Sequence, residues 1–202
     1  MRIILKTLFS VAFMNLQNKT VLFLGSSVTY GSAAGGISFA DIMGEACGIN
    51  CIKEAVSGTT LADIDDCSYV ARLKKIDKIA VDLFICQLST NDASASRNID
   101  LCKTEQAIRF ILEYVKNTFG CPIIFYTGTY FENEKYGKMV DLLYDLQKEY
   151  DFYILDLFND EKMRAVKKED YQRYMKDPVH PTITGYIEWW TPKFIDFCEQ
   201  LS

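Results

Sequence analysis

The sequence predicts a three-layer α/β/α domain on a parallel sheet, and three observations carry that expectation. Apolar runs of strand length recur along the chain. Segments with apolar residues at helical spacing separate them, and polar turns rich in Gly, Ser, Thr, Asn and Asp follow the runs directly. At 202 residues, with 49% hydrophobic and 24% charged side chains, the chain suits one folded domain of ordinary size. The expected organisation is an N-terminal extension over residues 1–19 and a single domain over 20–202.

Residues 20–24 form the first apolar run, stopped by Gly25, and a helix is expected over 37–47. A weaker strand at 51–56 precedes S57-G58-T59-T60. Residues 82–88 (DLFICQL) make a strong buried strand followed by S89-T90-N91-D92. From 104 to 119, Ala107, Ile108, Ile111, Leu112 and Val115 fall on one helical face, with Thr104 as the expected N-cap and Gly120 as the stop. Residues 122–126 give the next strand, and Met139, Val140, Leu142, Leu143 and Leu146 mark the next helix. Residues 152–157 give a fifth strand. After D177-P178-V179-H180-P181-T182 a last helix carries Trp189, Trp190 and Phe194, with Pro192 expected to kink or break it. In such a sheet, ligands bind beyond the carboxyl ends of the strands. G25-S26-S27, S57-G58-T59 and S89-T90-N91-D92 should therefore converge at one edge.

Charge and cysteine content narrow the function. A net charge of −5 and no dense Lys/Arg cluster argue against a nucleic-acid binder. Seven cysteines in apolar surroundings, with a single histidine, supply no zinc-type ligand set and fit buried thiols in a reducing compartment, hence the cytoplasm. No metal or cofactor is expected. Residues 1–14 carry two positive charges and an apolar stretch, as an export signal would. The uninterrupted apolar part is short and no small-x-small cleavage site follows, which favours a packed or loose extension; translation from Met14 is a third reading. No later segment is long and apolar enough to span a bilayer.

A serine hydroxyl becomes a good nucleophile only when a base removes its proton, usually an imidazole held by a carboxylate. His180 is the one imidazole in the chain, and Asp177 lies three residues before it in a turn stiffened by Pro178 and Pro181. Asp177 could accept from Nδ1–H and leave Nε2 free for a serine proton. An ordinary loop with a surface imidazole fits the same residues. Acyl transfer also needs donors for an oxyanion, which a turn amide at Gly58 or the side chain of Asn91 could supply. A positive-φ turn at Gly58 and a turn or N-cap cluster at S89-T90-N91-D92 account for those residues equally well. The stretch G25-S26-S27-V28-T29-Y30-G31 lacks the lysine of a phosphate-binding loop. Thr29 stands where a G-x-S-x-G elbow would place its second glycine.

Together, G25-S26-S27-V28-T29-Y30-G31, S57-G58-T59-T60, S89-T90-N91-D92 and D177-P178-V179-H180-P181 resemble the four ordered blocks of the SGNH (GDSL-type) hydrolases. The resemblance runs from about Val21 into the final helix. It implies a flavodoxin-like five-stranded sheet of order 2-1-3-4-5 and a serine esterase acting on a small-molecule ester. It further implies Ser27 as nucleophile, His180 as general base and then acid, and Asp177 as its orienting partner. The Ser27 and Gly58 amides and the Asn91 side chain would form the oxyanion hole. Ser26 stands where the family has aspartate and Ser89 where it has glycine; neither change removes a reacting atom.

The substrate expected is a short acyl or acetyl ester, possible carbohydrate chemistry being suggested by a polar and aromatic segment at 127–136 and by Trp189 and Trp190. No long apolar lid of the kind a lipid substrate would need is visible. A lysophospholipase or thioesterase, and a non-catalytic ligand-binding domain, are the alternatives.

Overall fold

A computed structural model describes residues 16–201. The expectations placed on residues 1–15 (leader, extension or alternative start) lie outside the described residues. The chain order is β1 (Thr20–Gly25), α1 (Ser27–Tyr30), α2 (Phe39–Cys47), β2 (Asn50–Ala55), α3 (Tyr69–Leu73), β3 (Leu83–Gln87), α4 (Leu101–Thr118), β4 (Ile123–Tyr126), α5 (Glu134–Gln147) and β5 (Tyr153–Leu155). There follow α6 (Glu161–Arg164), α7 (Lys168–Tyr174), α8 (Ile183–Gly185), a π-helical turn (Tyr186–Trp190) and α9 (Thr191–Gln200).

The five strands form one parallel sheet in the order β2-β1-β3-β4-β5, the flavodoxin-like arrangement the resemblance implied. Side chains alternate between its two faces with the period of two that a strand imposes. Leu22, Leu24, Phe84, Cys86 and Phe125 meet α3, α4 and α5 on one side. Val21, Phe23, Leu83, Ile85, Ile124 and Tyr126 meet α2 and α9 on the other. There Phe39 lies at the centre of an aromatic cluster, stacked on Phe194 with ring centroids 3.8 Å apart and edge-on to Tyr126 at 5.1 Å. Burial on both faces explains why β1, β3 and β4 are near-continuous apolar runs. Edge strand β2, only partly buried, gave the weaker signal.

Two sequence expectations change. Thr104 is not the N-cap of α4: the helix begins earlier, with the Asp100 side chain accepting from the Cys102 amide at 2.9 Å. Thr104 is buried inside the helix, and its hydroxyl donates to Asp92 Oδ2 at 3.1 Å. The buried apolar residues begin only at Ala107, past the first turn of the helix, because the buried position before it is taken by Thr104. Pro192, for its part, does not break the terminal helix. The wide turn just before it, closed by the Thr191 amide on the Tyr186 carbonyl, leaves the helix continuous through a residue that has no N–H to donate.

All seven cysteines stand as thiols, but the expectation that they are buried holds only for Cys47, Cys86 and Cys198; Cys51 and Cys121 are partly buried, and Cys67 and Cys102 are exposed. Burial pushes the thiols of Cys47 and Cys198 up to about 12 and that of Cys86 well above the ordinary value. Among the described residues, no helix is long and apolar enough to cross a membrane. Nor does any group of three or more His, Cys, Asp or Glu side chains there have the arrangement of a metal site.

Candidate active site

The loops after β1, β2 and β3 meet at the carboxyl edge of the sheet. β1 ends at Gly25, and the chain turns at once into α1. A Cβ on Gly25 would fall 1.7 Å from Thr29 Oγ1 and 2.9 Å from Gln87 Oε1, so only glycine allows the first turn of α1 to fold back against the strand end. Ser26, fully buried, precedes the helix, and Ser27 opens it at 8% exposure. As the first helical residue, Ser27 has an amide that no intrahelical acceptor can reach.

What anchors this turn is Gln87, at the end of β3. Its Oε1 accepts from the Ser26 amide at 2.9 Å, the Thr29 amide at 3.3 Å and the Thr29 hydroxyl at 2.9 Å. Thr29 Oγ1 also lies 2.7 Å from the Tyr126 hydroxyl. A neutral amide thus holds the Ser27 turn where the family pattern has a carboxylate at position 26; Ser26 Oγ itself is 3.4 Å from the same oxygen. Sequence reasoning missed Gln87, although its signal was present: a lone polar residue closing the apolar run F84-I85-C86.

His180 approaches from the other side. Its Nε2 is 2.8 Å from Ser27 Oγ, and its Nδ1 is 2.8 and 2.9 Å from the two oxygens of Asp177. Asp177 Oδ1 also accepts from the Val179 amide at 2.8 Å and the His180 amide at 2.9 Å. Burial alone would raise this carboxyl; the bonds from the Val179 amide and from the His180 ring and amide outweigh it and hold the group below the ordinary aspartate value. The loop closes on itself through a bridge between Met175 and Pro181 and the bond from the Lys176 amide to the His180 carbonyl, at 2.8 Å. Tyr186, which follows this loop, donates to the Val28 carbonyl of α1 at 2.7 Å.

Gly58 adopts φ +80°, a conformation glycine tolerates best, and its carbonyl accepts from Arg97 Nη2 at 2.7 Å. Asn91 Nδ2 donates to the Thr59 carbonyl at 2.8 Å, which uses one of its two amide hydrogens and leaves the other to point elsewhere. Buried Asp92 braces the same loop by accepting from the Leu61 amide at 2.7 Å and the Ala62 amide at 2.9 Å. Asn91 and Gly58 are therefore joined through Thr59, and Ser27 and His180 through a direct hydrogen bond. Ser89 is fully buried, and its hydroxyl has no hydrogen-bond partner among the described residues.

The two tryptophans separate. Trp190 is wholly buried in the core and unavailable to a ligand. Trp189 is half-buried, stacked on Tyr174 at 5.4 Å. It lines a cleft of about 290 Å³ together with Thr129, Tyr130, Phe131, Glu132, Arg164, Tyr171 and Pro178, so part of the 127–136 segment does face this opening beside the His180 loop.

The chain and its fold have counterparts. The model of the GDSL-like Lipase/Acylhydrolase family matches residues 23–186. No curated protein matches the chain. Among solved structures, a protein from Lactobacillus plantarum superposes with a TM-score of 0.78 at 18% identity, over 92% of this chain and 99% of that one. A carbohydrate acetylesterase family member from Sinorhizobium meliloti does so with a TM-score of 0.65 at 18% identity, over 91% and 98%. AlinE4, an SGNH-hydrolase family esterase, gives 0.57 at 23% identity, over 92% and 98%. At these identities the three share the fold.

Proposed function

The chain belongs to the GDSL-like lipase/acylhydrolase family, an SGNH-type hydrolase of ester bonds, and from that premise we propose that it is a serine esterase of short acyl esters working through Ser27, His180 and Asp177. One observation carries the assignment: Ser27 Oγ and His180 Nε2 are 2.8 Å apart while the other ring nitrogen faces Asp177 at 2.8 Å. In this reading residues 20–202 act as one hydrolase domain.

Ser27 Oγ attacks the acyl carbon while Nε2 takes its proton, and Asp177 stabilises the imidazolium that forms. Negative charge builds on the acyl oxygen, which the amides of Ser27 and Gly58 and the remaining Asn91 hydrogen receive. Collapse of this intermediate expels the alcohol with the proton held on Nε2 and leaves an acyl group on Ser27. Water then attacks that ester, giving its proton to Nε2, and the carboxylic acid leaves as the proton returns to Ser27 Oγ.

For the alcohol we favour a carbohydrate, and for the acyl group acetate. The cleft beside the His180 loop offers the half-buried Trp189 and polar edges at Glu132 and Arg164, a combination suited to a sugar ring. The sugar-acetyl chemistry named for the Sinorhizobium meliloti relative agrees with it. The buried thiols favour a reducing compartment, hence the cytoplasm.

A serine-reactive fluorophosphonate probe tests the mechanism. Wild type should be labelled and Ser27→Ala should not; a well-folded wild type that stays unlabelled overturns the assignment. On the substrate side, hydrolysis should fall steeply from acetyl to octanoyl esters, and a flat profile rules out the short-acyl pocket.

A further inference from the structure

We propose that Arg72 is the positioning residue of this site: one buried guanidinium holds the nucleophile turn and the Gly58 loop in register, so that the oxyanion donors they carry converge on one point. The proposal rests on the esterase reading above. Arg72 lies on α3, outside every block of the family pattern, yet its side chain is only 8% exposed. Nη2 donates to the Gly25 carbonyl at 2.7 Å and to Thr59 Oγ1 at 3.2 Å. Nη1 donates to the Glu54 carbonyl at 3.0 Å and to Glu54 Oε1 at 2.9 Å, and Nε to the Cys67 carbonyl at 2.9 Å. The guanidinium carbon lies 5.3 Å from the centroid of the Tyr69 ring.

Two of these bonds bear on catalysis. The Gly25–Ser26 peptide immediately precedes Ser27; Arg72 holds its oxygen, and Gln87 Oε1 holds its N–H at 2.9 Å. Gripped at both ends, that peptide plane fixes the direction in which the next amide, that of Ser27, points. Thr59 follows Gly58, and its carbonyl is the acceptor for Asn91 Nδ2. The same nitrogen of Arg72 thus sits one residue from Gly58, one hydrogen bond and a peptide from Asn91, and two residues from Ser27.

A buried cation is an expensive way to fill this space. Its one carboxylate partner, Glu54, is 35% exposed, and the other acceptors are neutral. An apolar side chain would fill the volume without the desolvation cost. What it could not do is offer a planar fork of N–H groups to several acceptors at once, and a lysine ammonium, a single point charge, could not match that fork.

The test uses Arg72→Lys and Arg72→Ala, with p-nitrophenyl acetate turnover, the fluorophosphonate inactivation rate and the melting temperature measured on each. Misplacing catalytic donors by about 1 Å costs on the order of 10²-fold. Both variants should therefore lose about 10²-fold in kcat and in inactivation rate with KM within about threefold. Added guanidinium should restore about tenfold of the loss to Arg72→Ala, and methylammonium should not. If Arg72→Ala does not fold, Arg72→Lys decides alone. A folded variant with a lower melting temperature but kcat within about twofold of wild type makes Arg72 a structural residue only and overturns the proposal. A wild type unlabelled at Ser27 overturns both this proposal and the esterase reading, whereas a labelled wild type beside fully active Arg72 variants overturns this one alone.

Discussion

Ser27 and His180 are 2.8 Å apart, yet the structures that hold them have little in common. The serine side is buried and held from afar: its anchors, Gln87 and Arg72, belong to β3 and α3 and reach the turn across about 60 and 47 positions of sequence. The histidine side is half-exposed and held locally. Asp177 is three residues from His180, its side chain is 47% exposed, and apart from the contact with Ser27 the bonds that fix the ring and its carboxylate come from within the same loop. The serine side gains its precision from close packing and neutral acceptors, whereas the histidine side depends on one ionised carboxylate.

The largest effect that tests this contrast is expected at His180. His180→Ala should lower kcat by about 10³-fold or more while shifting the melting temperature little, because the ring is peripheral to the core. Activity near wild type would remove the only imidazole from the mechanism. Gln87→Leu should act on stability as well as on kcat, because it also frees the N–H end of the Gly25–Ser26 peptide whose oxygen Arg72 holds. It strands the buried donors of Ser26 and Thr29, a loss of roughly 2–3 kcal/mol in chemical denaturation. A variant as stable as wild type would mean that the turn does not depend on that acceptor.

The smallest effect is a titration. The Asp177 carboxyl is held below its ordinary value, so the stabilisation it lends the loop is complete above the ordinary aspartate range and is lost as pH falls through the depressed folded value. In an amide NMR titration, the Val179 and His180 signals should move with a midpoint below ~3.9. Those of Ser26 and Thr29, bonded to a neutral amide, should not follow them. If all four moved together, the two sides would be one electrostatic unit and the contrast would fail.

The same division decides what the sequence discloses. The Asp177 loop carries its geometry in six consecutive residues, so the motif and the contacts are nearly the same thing. The strands were legible for a similar reason: burial on both faces writes a continuous apolar run, as in V21-L22-F23-L24. The supports of the Ser27 turn were harder to see. Gln87 was missed: it is a polar residue at the end of such a run, but nothing in its neighbours says which turn it serves. Arg72 was invisible, since A71-R72-L73-K74-K75 has the composition of a solvated helix end, and only the tertiary fold turns its first cation inward while Lys74 stays at the surface. The Asp100 cap of α4 was not legible either: Thr104 has the same capping chemistry, but its hydroxyl is committed to Asp92 inside the helix.

The separation of 153 positions between Ser27 and His180 has a consequence for synthesis. On the proposed mechanism, a ribosome that has made β1 and Ser27 must still add most of the sheet before the base, His180, exists. Throughout that interval the nascent chain carries an ordinary hydroxyl with no partner to activate it, and it hydrolyses nothing. In that mechanism turnover reports the completed fold: the reaction switches on only when the Ser27 turn and the His180 loop have closed on each other.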